Sequence, residues 1–262
     1  MIKLLFSTLK QIFSGINFRI CAAGIFALSF TANVGTALNG DPLNVLSYIF
    51  GENGPISSGQ ILGTRGGSWL FLFMPIISGL CFVNILCDDK SSRFLRYEIF
   101  RAGYFRFKAA KYISSAVASG VCTILGFIPF AVFVEFYFPK DDFFEINLAA
   151  IFAEMFVFGI MSAVPALITV AFTNNKYLIV CVPFMLKYCV TQLALRITIA
   201  AYENIGNPNL TLGKIGRIID PNSISSVFSY PDRIGIILTN AALLLGGFAI
   251  YLFRKGGADK GE

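Results

Sequence analysis

Glu154, Lys187 and Arg196 are ionisable residues set inside long apolar runs. Charge is expensive at membrane depth, so such residues mark an ion pair or a polar pathway. Lys187 and Arg196 are nine residues apart, about 2.5 helical turns. They face roughly opposite sides and cannot share one partner. Glu154 is expected to pair with one of them across neighbouring helices, and Lys187 to face a polar path or a subunit interface. Little other chemistry is on offer. The chain has no histidine, which removes His-based metal sites and Ser-His dyads. Its six cysteines, Cys21, Cys81, Cys87, Cys122, Cys181 and Cys189, lie in or at the edge of apolar runs. Their spacing fits neither a zinc site nor an external disulfide framework, so buried free thiols are expected, with no metal.

The elements that hold these residues are long and apolar. The 262 residues are 56% hydrophobic and only 14% charged, with a mean hydropathy of +0.71. That balance reads as an integral membrane protein forming a single domain over 1–262. A helix needs ~20 apolar residues to cross the hydrocarbon. Six stretches qualify: Ile20–Leu38, Trp69–Cys87, Tyr112–Val134, Leu148–Phe172, Leu178–Ala201 and Ile234–Phe253. Ahead of them Ile2, Leu5, Phe6, Leu9, Ile12, Phe13 and Ile16 recur at three- and four-residue steps. That pattern predicts an amphipathic helix lying on the membrane surface. The fold class is therefore all-α, with six spans.

Lys and Arg set the orientation. With the N-terminus inside, 14 of the 21 fall on the inner side and five on the outer side. Both termini are thus expected in the cytoplasm of a plasma-membrane protein. The net charge of +6 then reports topology, not a nucleic-acid partner. Small residues four apart, Ala116/Gly120 and Ala242/Gly246, would permit close helix packing. In the last outer connection Asp220-Pro221 reads as the start of a short helix. The first, Asn39–Ser68, has seven glycines and no evident packed structure.

One connection stands apart. Between Cys87 and Tyr112, ten of 26 residues are charged. Asp88, Asp89, Ser91 and Ser92 suit a helix start, and Ser92–Phe100 can form a short helix. Ala102-Gly103 supplies a turn, and Tyr104, Arg106, Lys108 and Lys111 lead into the third span. A purely lipid-facing anchor would need the basic residues but not Asp88, Asp89 and Glu98. Mixed charge with aromatics suits a protein contact surface.

The order Asp89, Ser92, helix, Gly103, Arg106, Lys111 resembles the connection between the second and third spans of type 2 ATP-binding-cassette (ABC) exporter permeases. There the order is acid, Gly, helix, Pro-x-x-Arg, Lys. Here Ser92 takes the place of Gly, and Gly103 that of Pro. In that family the segment is a coupling helix that docks on the ATP-binding subunit. The resemblance implies that role for Asp89, Ser92, Arg93, Arg96, Glu98, Arg101, Gly103 and Arg106. It further implies a second permease copy or relative, ATP and Mg on the partner subunit, no cofactor on this chain, and outward transport. The suggested cargo is amphipathic: a peptide antibiotic, a drug or a lipid-like molecule. The chain would not itself be an enzyme. Gly206–Lys214 mimics a phosphate loop, but six residues separate its glycines where that loop has four, and Ile215 follows Lys214. The rival readings are a non-catalytic anchor or assembly partner and a membrane-embedded enzyme.

Overall fold

The computed structural model describes residues 2–36, 42–50, 56–65, 67–91, 99–139, 147–202, 210–229 and 231–254. It is almost entirely helical. α1 (Ile2–Ser14) and α2 (Ile16–Ser29) meet at Gly15 with a 64° bend. A short hairpin follows, β1 (Asn33–Thr36) against β2 (Pro42–Asn44), antiparallel. Two short helices, α3 (Val45–Phe50) and α4 (Ser58–Gly63), complete this cap. Then come α5 (Gly67–Leu80) and α6 (Val83–Ser91), which together give one apolar rod over Trp69–Asp89. α7 (Tyr104–Tyr137), α8 (Leu148–Phe172) and α9 (Lys176–Tyr202) are long single helices. α10 (Leu210–Ile219), a 3-10 segment (Ser223–Ser229) and α11 (Arg233–Phe253) finish the chain.

Five of these helices are long and apolar enough to cross a membrane, the signature of a multi-pass membrane protein. Four lie within a few residues of the expected spans; α7 begins eight residues earlier, at Tyr104. The first expected span, Ile20–Leu38, is corrected. α2 stops at Ser29, and the chain turns into β1. Only α1 and α2 taken together have the length and apolarity of a span. The loop expected to lack packed structure instead holds β1, β2, α3 and α4.

Between helices in lipid, close van der Waals contact drives association. The α7–α8 pair shows this at the centre. Gly120 lies under the Phe156 ring, and Gly159 against Ser119, Gly120 and Thr123, too near in each case for a Cβ. The Ser119 hydroxyl donates to the Gly159 carbonyl at 2.9 Å. Phe127, Phe130 and Phe158 fill the space around this seam. Ala242/Gly246 does not repeat the pattern. Both residues are exposed on α11, and it is Gly247 that meets Val164 and Tyr112. α9 and α11 are peripheral: only 22% of either apolar window is buried within the chain, against half or more for the other three spans.

Two glycines set the ends. Gly67, at φ +73°, starts α5 directly against Ala32, with room for no side chain. Gly103, at φ +80°, separates residues helical at 99–102 from α7. An L side chain rarely adopts either conformation.

Candidate functional site: a charged connection and buried charges

Chemistry gathers at two levels. The first is the end of the bundle where α6 runs into the 88–111 connection. α6 closes with Asp88 and Asp89, which reach different helices. Asp89 forms an ion pair with Lys111 on α7, and Asp88 pairs with Lys176 at the start of α9 at 2.8 Å. Lys111 is almost fully buried, with its ammonium near the Phe107 ring. One turn earlier on α7, Lys108 donates to the Arg254 carbonyl at 2.5 Å, which ties down the end of α11. The Arg254 guanidinium covers the Phe172 ring at the end of α8. All the long helices therefore converge at this level.

The Asp89–Lys111 pair joins the first and last members of the bracket read in the sequence, closing the connection at its base. Beyond it the described part projects outward. Phe100 is 94% exposed, more than any other large apolar side chain described, and Arg101, Phe105 and Arg106 are also exposed. Ser92, Arg93, Arg96 and Glu98 lie outside the described residues, as does the body of the expected helix.

The second level holds the charges inside apolar helices. Glu154 on α8 is 1% exposed and meets Arg65, whose Nε donates to its carboxylate at 2.7 Å. Arg65 precedes α5 and holds a left-handed backbone at φ +53°. Its guanidinium also donates to the Gly63 carbonyl. The expected partners of Glu154 are thus replaced. Lys187 lies elsewhere, buried with its ammonium 4.5 Å above the Phe158 ring and no hydrogen-bond partner among the described residues. Arg196 is exposed on α9. Lys187 and Arg196 do point apart, as their spacing requires.

The charge nearest in effect to Lys187 is Asp220, which the sequence reading assigned only to a helix start. α10 explains how it gets there. Gly213 and Gly216 pack on Tyr202, Thr198 and Ala194 of α9, so α10 runs back along α9. Its far end delivers Asp220 and Asn222 beside Tyr188, Thr191 and Gln192. Asp220 follows the end of α10; its carboxylate accepts from the Asn222 N–H at 3.0 Å, and the short helix that begins just after it is the 3-10 segment. Burial pushes the Asp220 carboxyl above the ordinary carboxylate range, partly offset by that N–H and by Lys187. Along the same helix, Lys214 and Arg217 pair with Asp232 just before α11, at 3.7 and 3.3 Å. This back-folded element lines, with α5 and α9, a half-open cavity of ≈ 440 Å³.

Among the described residues no group of three or more Cys, Asp or Glu is placed to hold a metal ion. Cys21, Cys81, Cys87 and Cys122 are buried free thiols, but Cys181 and Cys189 are exposed on α9, contrary to the expectation of six buried thiols. No protein-family model matches the chain, and no curated protein matches it.

Proposed function

We propose that the chain is the membrane-spanning permease subunit of an ABC exporter, with α1 as an amphipathic helix on the membrane surface, bent away from α2, and both termini in the cytoplasm. The 88–111 connection docks on a separate ATP-binding subunit, which binds ATP and Mg. A second permease copy completes the pathway, and an amphipathic substrate moves outward. Nucleotide-driven closure of the ATPases displaces the connection and repacks the spans.

One observation carries this reading: the connection is closed at its base by Asp89–Lys111 and presents Phe100 almost wholly to solvent, beside Arg101. An exposed aromatic beside an arginine is the chemistry of an interface anchor. Membrane anchoring alone accounts for neither the closed base nor the acids at Asp88 and Asp89.

The test is capture of the tagged chain in mild detergent, with mass spectrometry of what comes with it. Wild type is expected to bring an ABC ATPase. Charge reversal at Arg93, Arg96 and Arg101, or Phe100→Ala, should remove it while the helix content by circular dichroism is kept. If no ATPase accompanies the folded wild-type chain, the permease reading gives way to an anchor or assembly role.

A further inference from the structure

The cavity between α5, α9 and the α10 turn is used by none of the contacts described for docking. Its lining is unusual for apolar helices: Tyr188, Thr191 and Gln192 come from α9, Asp220 and Asn222 from the back-folded turn, and Phe71 from α5. We propose that this cavity binds an uncharged polyhydroxyl group, the sugar or polyol part of either a lipid headgroup or a soluble molecule.

Three features select that chemistry. The first is hydrogen-bonding capacity. Hydroxyls and a carboxamide both donate and accept, whereas a carboxylate and an amide oxygen only accept. The Asn222 Oδ1 is buried and has no hydrogen-bond partner among the described residues. A buried acceptor in that state calls for a donor, which a ligand hydroxyl supplies.

The second is charge. Among the described residues lining the cavity, Asp220 is the sole ionisable acid or base, apart from the Tyr188 phenol. Lys187, buried over the Phe158 ring, offsets part of its charge. A cationic ligand at Asp220 would be repelled by Lys187, and an anionic one by Asp220 itself. A neutral ligand meets neither penalty.

The third is shape and surface. The volume, ≈ 440 Å³, falls in the range of small-molecule sites. Phe71 and the Tyr188 ring offer flat apolar faces, suited to the C–H face of a sugar ring. Phe71 also packs edge-on against Phe158, the ring that carries Lys187. Occupancy at Phe71 is therefore one ring away from the buried ammonium.

The proposal requires the multi-pass helical fold but not the ATP-driven reading, so each can fail alone. The chain has a single tryptophan, Trp69, two residues before Phe71 on α5. Trp69 stacks on Phe73, on a different face of α5 from Phe71, so binding is read by isothermal titration calorimetry instead. The protein is placed in phosphatidylcholine nanodiscs with no sugar detergent and no ATPase. One arm adds diglucosyl-diacylglycerol, with plain diacylglycerol as reference. Another adds soluble maltose, and a third adds dodecylammonium.

A saturable heat of binding with the glycolipid alone supports the site with a lipid source. A response to maltose supports it with a soluble source. In either case Gln192→Leu and Asn222→Leu should weaken binding at least tenfold, and the milder Thr191→Val by a few-fold. Ala242→Leu, on the exposed face of α11, should leave it unchanged. Three results overturn the proposal: no response to either sugar, a response unaffected by Thr191→Val and Gln192→Leu in folded protein, or tighter binding of dodecylammonium than of both sugars.

Discussion

Replacing Arg65 by Met tests how the charge at Glu154 is tolerated. Glu154 is 1% exposed and Arg65 14%, and Nε sits 2.7 Å from the carboxylate. Taking two ions out of water is costly, and their attraction offsets the loss only with good geometry. Removing one partner leaves the other charge uncompensated, a loss of about 3–5 kcal/mol for a buried pair. That is on the order of a hundred- to a few-thousand-fold in the folding constant, at about 1.4 kcal/mol per tenfold. Glu154→Gln keeps an acceptor for Nε but removes the charge, so about 1–3 kcal/mol is expected. The double variant Arg65→Met/Glu154→Leu should recover most of the loss, because apolar replacement of a buried pair is close to neutral. Arg65→Gly adds a control. It removes the same guanidinium but relieves the left-handed backbone at φ +53°, so it should cost about 0.5–1 kcal/mol less than Met. The assay is reversible unfolding in mixed micelles, followed by circular dichroism against the mole fraction of denaturing detergent. A loss below about 1 kcal/mol for Arg65→Met would refute the reasoning. So would a double variant whose cost equals the sum of the two singles.

Two further outcomes follow from the geometry. Gly67→Ala places a Cβ 2.4 Å from the Ala32 Cα at φ +73°, whereas at Gly246 a Cβ meets nothing within 4 Å. The first should cost at least about 2 kcal/mol and the second leave the melting temperature within a degree or two, read by thermal unfolding of the two variants side by side. The raised Asp220 carboxyl gives a pH signature. A carboxyl whose folded value exceeds its unfolded one, ordinarily about 3.9, favours the fold while protonated. That stability is lost as pH rises from the unfolded value through the higher folded one. The melting temperature should therefore fall across that window, and Asp220→Asn should flatten the slope; an unchanged slope would show that Asp220 is not the group responsible.

How much was legible in the sequence depends on the range of the interactions. The later spans are plain because continuous apolarity is a local signal; Leu148–Phe172 has the same ends in sequence and structure. The bracket of Asp89 and Lys111 shows in the order of residues, since the two lie only 22 positions apart on either side of a turn. The first span misleads for a physical reason. Hydropathy averages over Thr31–Leu38, but Asn33 and Gly35 pair with residues of β2, and the Ala32 carbonyl accepts from the Val45 N–H. Those partners ended the helix, and they lie beyond any local window. Arg65 reaches Glu154 across 89 positions, so nothing in its own glycine-rich stretch announces it. The Asp220 contact depends on α10 folding back on α9, for which Gly213 and Gly216, three apart, were the available hint.

The two neighbouring acids at the end of α6 have a mechanical consequence. Successive residues on a helix point about 100° apart, so Asp88 and Asp89 grip α9 and α7 from one rod in two directions. A torque that turns α6 toward one helix strains its hold on the other. The two grips are unequal. Asp88 and Lys176 are both exposed, where such pairs contribute little, whereas Lys111 is sheltered, at 6% side-chain exposure. Twisting the connection should therefore slip α9 first while α7 stays in gear, which makes the end of α6 a clutch with a defined order of release.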